Sequence, residues 1–187
     1  MFATNRTAGC GLLMIATVLG SATSGGAEPP TPAPVAPKCH APEHRQFDFW
    51  IGSWTVTEGG RPAGHNRIEP VLDGCALLES WSGASGTKGR SLNFYNRATG
   101  QWHQAWVDSE GGTLNLNGSF VAGVMTLEGT RTDPATGKEV RDRIRWSVVG
   151  EGIVRQVWDR ASPASGAWEL VFDGRYERET ATARDPQ

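Results

Sequence analysis

From residue 40 onward, apolar residues recur at every second position, in short runs broken by Gly, Asn, Asp, Ser and Pro. Alternation of this kind puts successive side chains on opposite faces of an extended strand, one face buried and one wet. No part of that region repeats with the period of a long amphipathic helix. The pattern predicts ten strands, at roughly 47–58, 64–72, 75–82, 89–96, 101–108, 113–120, 123–131, 139–149, 152–160 and 167–178.

The breaks carry their own chemistry. Asn96 to Gly100, Asp133 to Gly137 and Ser162 to Gly166 each begin with a side chain able to cap a turn and end with a Gly able to take positive φ. Such segments join neighbouring antiparallel strands. Successive hairpins give an up-and-down meander. A flat meander of about ten strands exposes long edges, and closing it into a barrel removes them. The expected class is therefore all-β, an antiparallel up-and-down barrel.

Parity assigns the faces. In the last strand Trp168, Leu170, Phe172, Gly174 and Tyr176 share one parity, expected to face inward. Polar residues hold the other, interrupted only by Val171. Two strands carry Gln-x-Trp, Gln104 with Trp106 and Gln156 with Trp158, and Glu79-x-Trp81 is a near variant. If the indoles point inward, so do the carboxamides. A buried carboxamide needs hydrogen-bond partners. A ligand- or water-filled lumen supplies them, and neighbouring groups in a filled core are the alternative. The candidate lumenal set is Glu79, Trp81, Asn93, Tyr95, Gln104, Trp106, Asp108, Gln156, Trp158 and Tyr176. Residues 46–56, QFDFWIGSWTV, depart from the rule, because apolar residues occupy both parities there.

Composition changes the picture mainly at the chain ends. Arg6 and the apolar run at 11–20, too short for a membrane span, read as a secretory signal over 1–27. TAGC at 7–10 precedes that run, the wrong side for lipid attachment. Residues 28–38, EPPTPAPVAPK, form a Pro-rich linker. The folded domain is expected over 39–178, with a disordered tail at 179–187. The exported mature protein is therefore expected in the periplasm or outside the cell, not inserted in a membrane. Net charge is −2, with both signs interspersed, so neither a nucleic-acid partner nor a membrane-surface helix is expected. Loss of Cys10 with the signal leaves Cys39 and Cys75, which in an exported chain point to one disulfide; two unpaired thiols are the alternative. No His or Cys stands at ligand spacing beside either, so no metal is expected.

Four blocks then occur in order: FDFWIGSWTV, RIEPVLDGCALLESW, SLNFYNRATGQWHQAWVD and VFDGRYER. Together they resemble a family of small exported bacterial proteins without an assigned activity. The resemblance implies a lipocalin-like (calycin) barrel. It also implies that Gly52 and Trp54 form the Gly-x-Trp of the first strand, with Arg178 stacking on the indole to plug one end. A fold of this kind does not by itself specify a function.

Four functions fit such a barrel. The first is binding of a small, partly polar or aromatic ligand in the lumen. The second is a structural or interaction protein with a filled barrel. The third is acid–base catalysis by Glu79 and Asp108, with Tyr95 as a further acid; a salt bridge from either carboxylate to an arginine is the plainer reading. The fourth is haem binding through a histidine, as in nitrobindins. His40 and His44 precede the barrel, His65 follows a Pro-Ala-Gly segment and His103 has outward parity, so no cofactor is expected.

Overall fold

A computed structural model describes residues 39–133, 136–162 and 165–180. The expected signal at 1–27, the Pro-rich linker at 28–38 and tail residues 181–187 lie outside the described residues. The strands are β1 (Gly52–Glu58), β2 (Arg61–Val71), β3 (Ala76–Gly83), β4 (Lys88–Asn96), β5 (Gln101–Asp108), β6 (Thr113–Val121), β7 (Val124–Thr132), β8 (Glu139–Gly150), β9 (Ile153–Ala161) and β10 (Trp168–Arg178). Each pairs antiparallel with its sequence neighbours, and β1 pairs with β10, closing the barrel.

The hairpins use the expected chemistry. The backbone N–H of Gly100 donates to Asn96 O at 2.8 Å, and that of Ala98 donates to Asn96 Oδ1 at 2.9 Å. Gly137 and Gly166 donate to Asp133 O and Ser162 O in the same way, each at 2.8 Å. Connections after odd-numbered strands lie at one end of the barrel and those after even-numbered strands at the other.

The first expected strand is shorter than 47–58. Residues Pro42–Arg45 and Asp48–Trp50 are short 3-10 turns, and extended pairing begins at Gly52. In a 3-10 turn, positions three apart project together. Phe47 and Trp50 are accordingly both fully buried, stacked at 4.9 Å between ring centroids. Phe47 also meets Trp102 edge-on at 5.6 Å and Trp146 at 5.2 Å. This lead-in segment fills the end from which β1 starts, which explains its apolar residues of both parities.

The Gly52, Trp54 and Arg178 arrangement seals the same end. The Arg178 guanidinium carbon lies 4.3 Å from the Trp54 ring centroid, and Arg178 Nη1 donates to Ile51 O at 2.7 Å. Trp54 Nε1 donates to Trp50 O at 2.9 Å. Gly52 has φ 142°, a backbone conformation that L side chains rarely adopt, and a Cβ there would also stand 2.2 Å from Arg178 Nη1, so the position favours glycine on both counts. Cys39 and Cys75 form a disulfide across 36 residues, tying the lead-in segment to the β2–β3 turn. The backbone N–H of Glu179 donates to Ser53 O at 2.9 Å, beside the same seam.

The last strand corrects the parity reading. Its register with β9 shifts between Leu170 and Phe172, a bulge at Val171. An extra residue reverses the faces beyond it. Phe172, Gly174 and Tyr176 point inward as expected, but Leu170 is 62% exposed. Trp168 lies on the outer face under two guanidiniums, Arg141 at 4.8 Å and Arg143 at 4.1 Å.

Candidate functional site: a polar and aromatic cavity

Beyond the aromatic plug the barrel is not filled. A cavity of about 460 Å3 extends to the other end, where its wall includes Thr87, Gly111, Gly112 and Thr132. Eight of the ten expected lumenal residues line it: Glu79, Trp81, Gln104, Trp106, Asp108, Gln156, Trp158 and Tyr176. Phe172, Leu114, Ile144 and Arg131 complete much of the wall. Asn93 and Tyr95 correct that set, because neither lines the cavity. The inward positions of β4 descend from Gly89 toward the plug. Asn93 is buried below Ser91, and Tyr95 sits at the sealed end beside His44 and Trp102, at 5.2 and 6.2 Å between ring centroids.

Small residues make room for the indoles. A Cβ on Gly89 of β4 would stand 2.0 Å from the Trp106 ring, so that ring occupies the space over the neighbouring strand. Asp108 holds the turn beside it: Oδ1 accepts from the backbone N–H of Glu110 at 3.0 Å and of Gly112 at 2.8 Å. Its Oδ2 accepts from Trp106 Nε1 at 3.4 Å. Asp108 therefore positions Trp106 and the cavity rim.

The two glutamines present opposite chemistry to the cavity. Gln156 Oε1 accepts from Trp146 Nε1 at 3.0 Å and from the Tyr176 hydroxyl at 2.6 Å. An indole N–H only donates, so the carboxamide oxygen is fixed toward Trp146. The amide nitrogen remains a donor toward the cavity. Gln104 is reversed: its Nε2 donates to Ser91 Oγ at 3.5 Å, leaving its oxygen as an acceptor.

Glu79 is buried on the β3 wall. Asn66 Nδ2 donates to its Oε1 at 2.7 Å and Ser91 Oγ to its Oε2 at 2.6 Å. Burial raises its pKa from 4.5 to about 6, against the opposing pull of those two hydrogen bonds. Burial, with the nearby Glu79 charge, also pushes the Tyr176 hydroxyl upward.

Sequence reading missed a third cluster. Asp142 of β8 is fully buried, and three groups converge on it. Arg131 Nε donates to Oδ2 at 2.9 Å; Arg160 Nε and Trp158 Nε1 donate to Oδ1 at 3.0 and 2.8 Å. The expected arginine bridge to Glu79 or Asp108 is absent among the described residues, and the lumenal arginines serve Asp142 instead. Parity held the signal: Asp142 alternates with Ile144 and Trp146, Arg131 with Met125 and Leu127, and Arg160 with Gln156 and Trp158.

No histidine is on the cavity wall. His40 and His65 are exposed, and His103 stacks outside the barrel on Phe94 at 5.2 Å. His44 is buried at the sealed end, where burial and then Arg45 lower its pKa. Among the described residues no three His, Cys, Asp or Glu side chains are grouped to hold a metal ion, and no helix is long and apolar enough to cross a membrane. No known family profile matches the chain, and no curated protein matches it significantly.

Proposed function

We propose that this is an exported, lipocalin-like protein that holds one small, partly polar, aromatic or cyclic ligand in the open half of its barrel. The observation that carries this reading is the 460 Å3 cavity with Gln104 and Gln156 on its wall. Its size falls within the usual range of ligand pockets. Trp81, Trp106, Trp158 and Phe172 supply flat apolar surface, while Gln156 offers a donor and Gln104 an acceptor. A void of this size argues against a filled structural barrel. A fatty acid is disfavoured, because five aromatic side chains outnumber the aliphatic Leu114, Ile144 and Val171 on the wall. The disulfide and the apolar run at 11–20 support export.

Native mass spectrometry of protein purified from cells that naturally make it tests the reading. A retained small molecule at one per chain is expected. Apo protein whose tryptophan fluorescence no small aromatic or cyclic compound perturbs would overturn it. Paired Gln104→Leu and Gln156→Leu changes should weaken the retained ligand; unchanged binding would remove the glutamines from the contact. N-terminal sequencing of that material should begin after Ala27 if the chain is exported.

A further inference from the structure

We infer that the cavity selects a ligand carrying an anionic group, a carboxylate or similar oxyanion, which pairs with Arg131 at the open end. This rests on the lumenal-binding reading above and specifies its ligand class. The reason lies in the charge balance around Asp142. One fully buried carboxylate faces two guanidiniums, Arg131 and Arg160, each held through Nε. Among the described residues, the terminal nitrogens of both arginines donate no further hydrogen bond. An arginine side chain stays charged at any relevant pH. The cluster therefore carries a net positive charge and unused donors beside a wall of indoles.

Of the two arginines, Arg131 is the one on the cavity wall, with its side chain 19% exposed. Arg160 lies over the Trp158 ring at 5.4 Å and keeps Asp142 compensated on its other oxygen. Asp142 thus orients Arg131 and, through Nε1, the Trp158 indole. The free edge of a guanidinium is a planar fork that matches an oxyanion. Apolar walls strengthen that attraction relative to open water.

Other charges set the ligand's direction. Glu79 lies on β3, on the far side of the ten-strand barrel from β7, and repels an anion from the cavity floor. Asp108 is occupied by three N–H donors at the rim. Glu169 faces Arg160 across β9 and β10, but it is exposed and forms no ion pair with it. The anionic group therefore sits at the mouth beside Arg131, with an uncharged or proton-donating end toward Glu79.

The test uses two dyes that differ by one charged group, anilinonaphthalene sulfonate and its uncharged parent phenylnaphthylamine. Quenching of tryptophan fluorescence reads binding to the full mature chain. The wild type should bind the sulfonate roughly ten- to a hundred-fold more tightly, the range for hydrogen bonds to a charged group. Arg131→Met should weaken the sulfonate more than the parent dye and so remove that preference, while Arg131→Lys should keep part of it. Equal affinity of the two dyes for the wild type overturns the anion inference and leaves lumenal binding intact. Equal weakening of both dyes by Arg131→Met also overturns it, marking a structural role only. Failure of both dyes to bind at one per chain also overturns the anion inference, and the native mass spectrum then decides the lumenal reading separately. The wild-type comparison needs no variant, so a poorly folded substitution does not block the test.

Discussion

Glu79 gives the barrel a pH dependence opposite to that of most carboxylates. Its pKa rises from 4.5 to about 6 on folding because the side chain is buried without a cation beside it. Between those values the folded protein binds more protons than the unfolded chain, so stability falls as pH rises through the window. Below 4.5 the carboxyl is protonated in both states and this destabilisation is absent; above about 6 it is fully present. The interval corresponds to about 2 kcal/mol. Glu79→Gln carries no charge at any pH and isolates this effect from every other titrating group. The new amide also has an acceptor available, since Asn66 Oδ1 is buried without a partner. Urea unfolding of both proteins from pH 4 to pH 7.5, followed by tryptophan fluorescence, measures the difference between them. That difference should shift by about 2 kcal/mol in favour of the variant between the two ends, with most of the change between pH 4.5 and 6.5. Any offset from altered hydrogen bonding is the same at every pH and cancels. A difference that stays constant across the range, or moves in favour of the wild type as pH rises, refutes the reasoning.

Three further predictions concern the scaffold. Replacing Cys39 and Cys75 by Ser opens a loop of 36 residues' separation, and loop-closure entropy puts the loss on the order of 4 kcal/mol; a loss below about 1 kcal/mol by urea unfolding would show that the bridge does not restrain the unfolded chain. Gly52→Ala strains a backbone held at φ 142° and drives a Cβ to 2.2 Å from Arg178 Nη1, and should destabilise by roughly 2 kcal/mol, part of it through the arginine. In an Arg178→Ala background that cost should fall, and an equal cost in both backgrounds would mean that the arginine is not what glycine accommodates. Leu72 has φ 54° and is 69% exposed, so Leu72→Gly should relieve left-handed strain at little loss of packing. A gain of roughly 0.5–1 kcal/mol in thermal unfolding is expected, and a loss would mean that the leucine has a contact worth more than the strain.

The aromatic and amide positions facing the barrel interior were legible in the sequence where its buried charges were not, and the reason is energetic. Burying the face of Trp54, Trp106 or Trp158 contributes a free energy that does not depend on which partner lies opposite, so parity alone assigns the face. The hairpins were readable for a similar reason, since the Asn96 and Gly100 turn chemistry is local. Inward glutamines beside inward tryptophans then located most of the cavity wall. Charged residues obey a different rule. Asp142 is stable inside only because Arg131, eleven residues earlier, and Arg160, eighteen later, reach it from adjacent strands. Its parity was visible, but in EVRDRIRW an inward aspartate between outward arginines reads as part of a solvated charge run until the register of three strands is known. The Val171 bulge hid information in the same way. The lone apolar break in the polar face was a register shift, and Trp168 tolerates the outer face because Arg141 and Arg143 stack on it. A tryptophan on a strand therefore marks the interior only where no paired arginines stand beside it. The same logic explains why the anion site at Arg131 emerges from pairing and net charge rather than from any local motif.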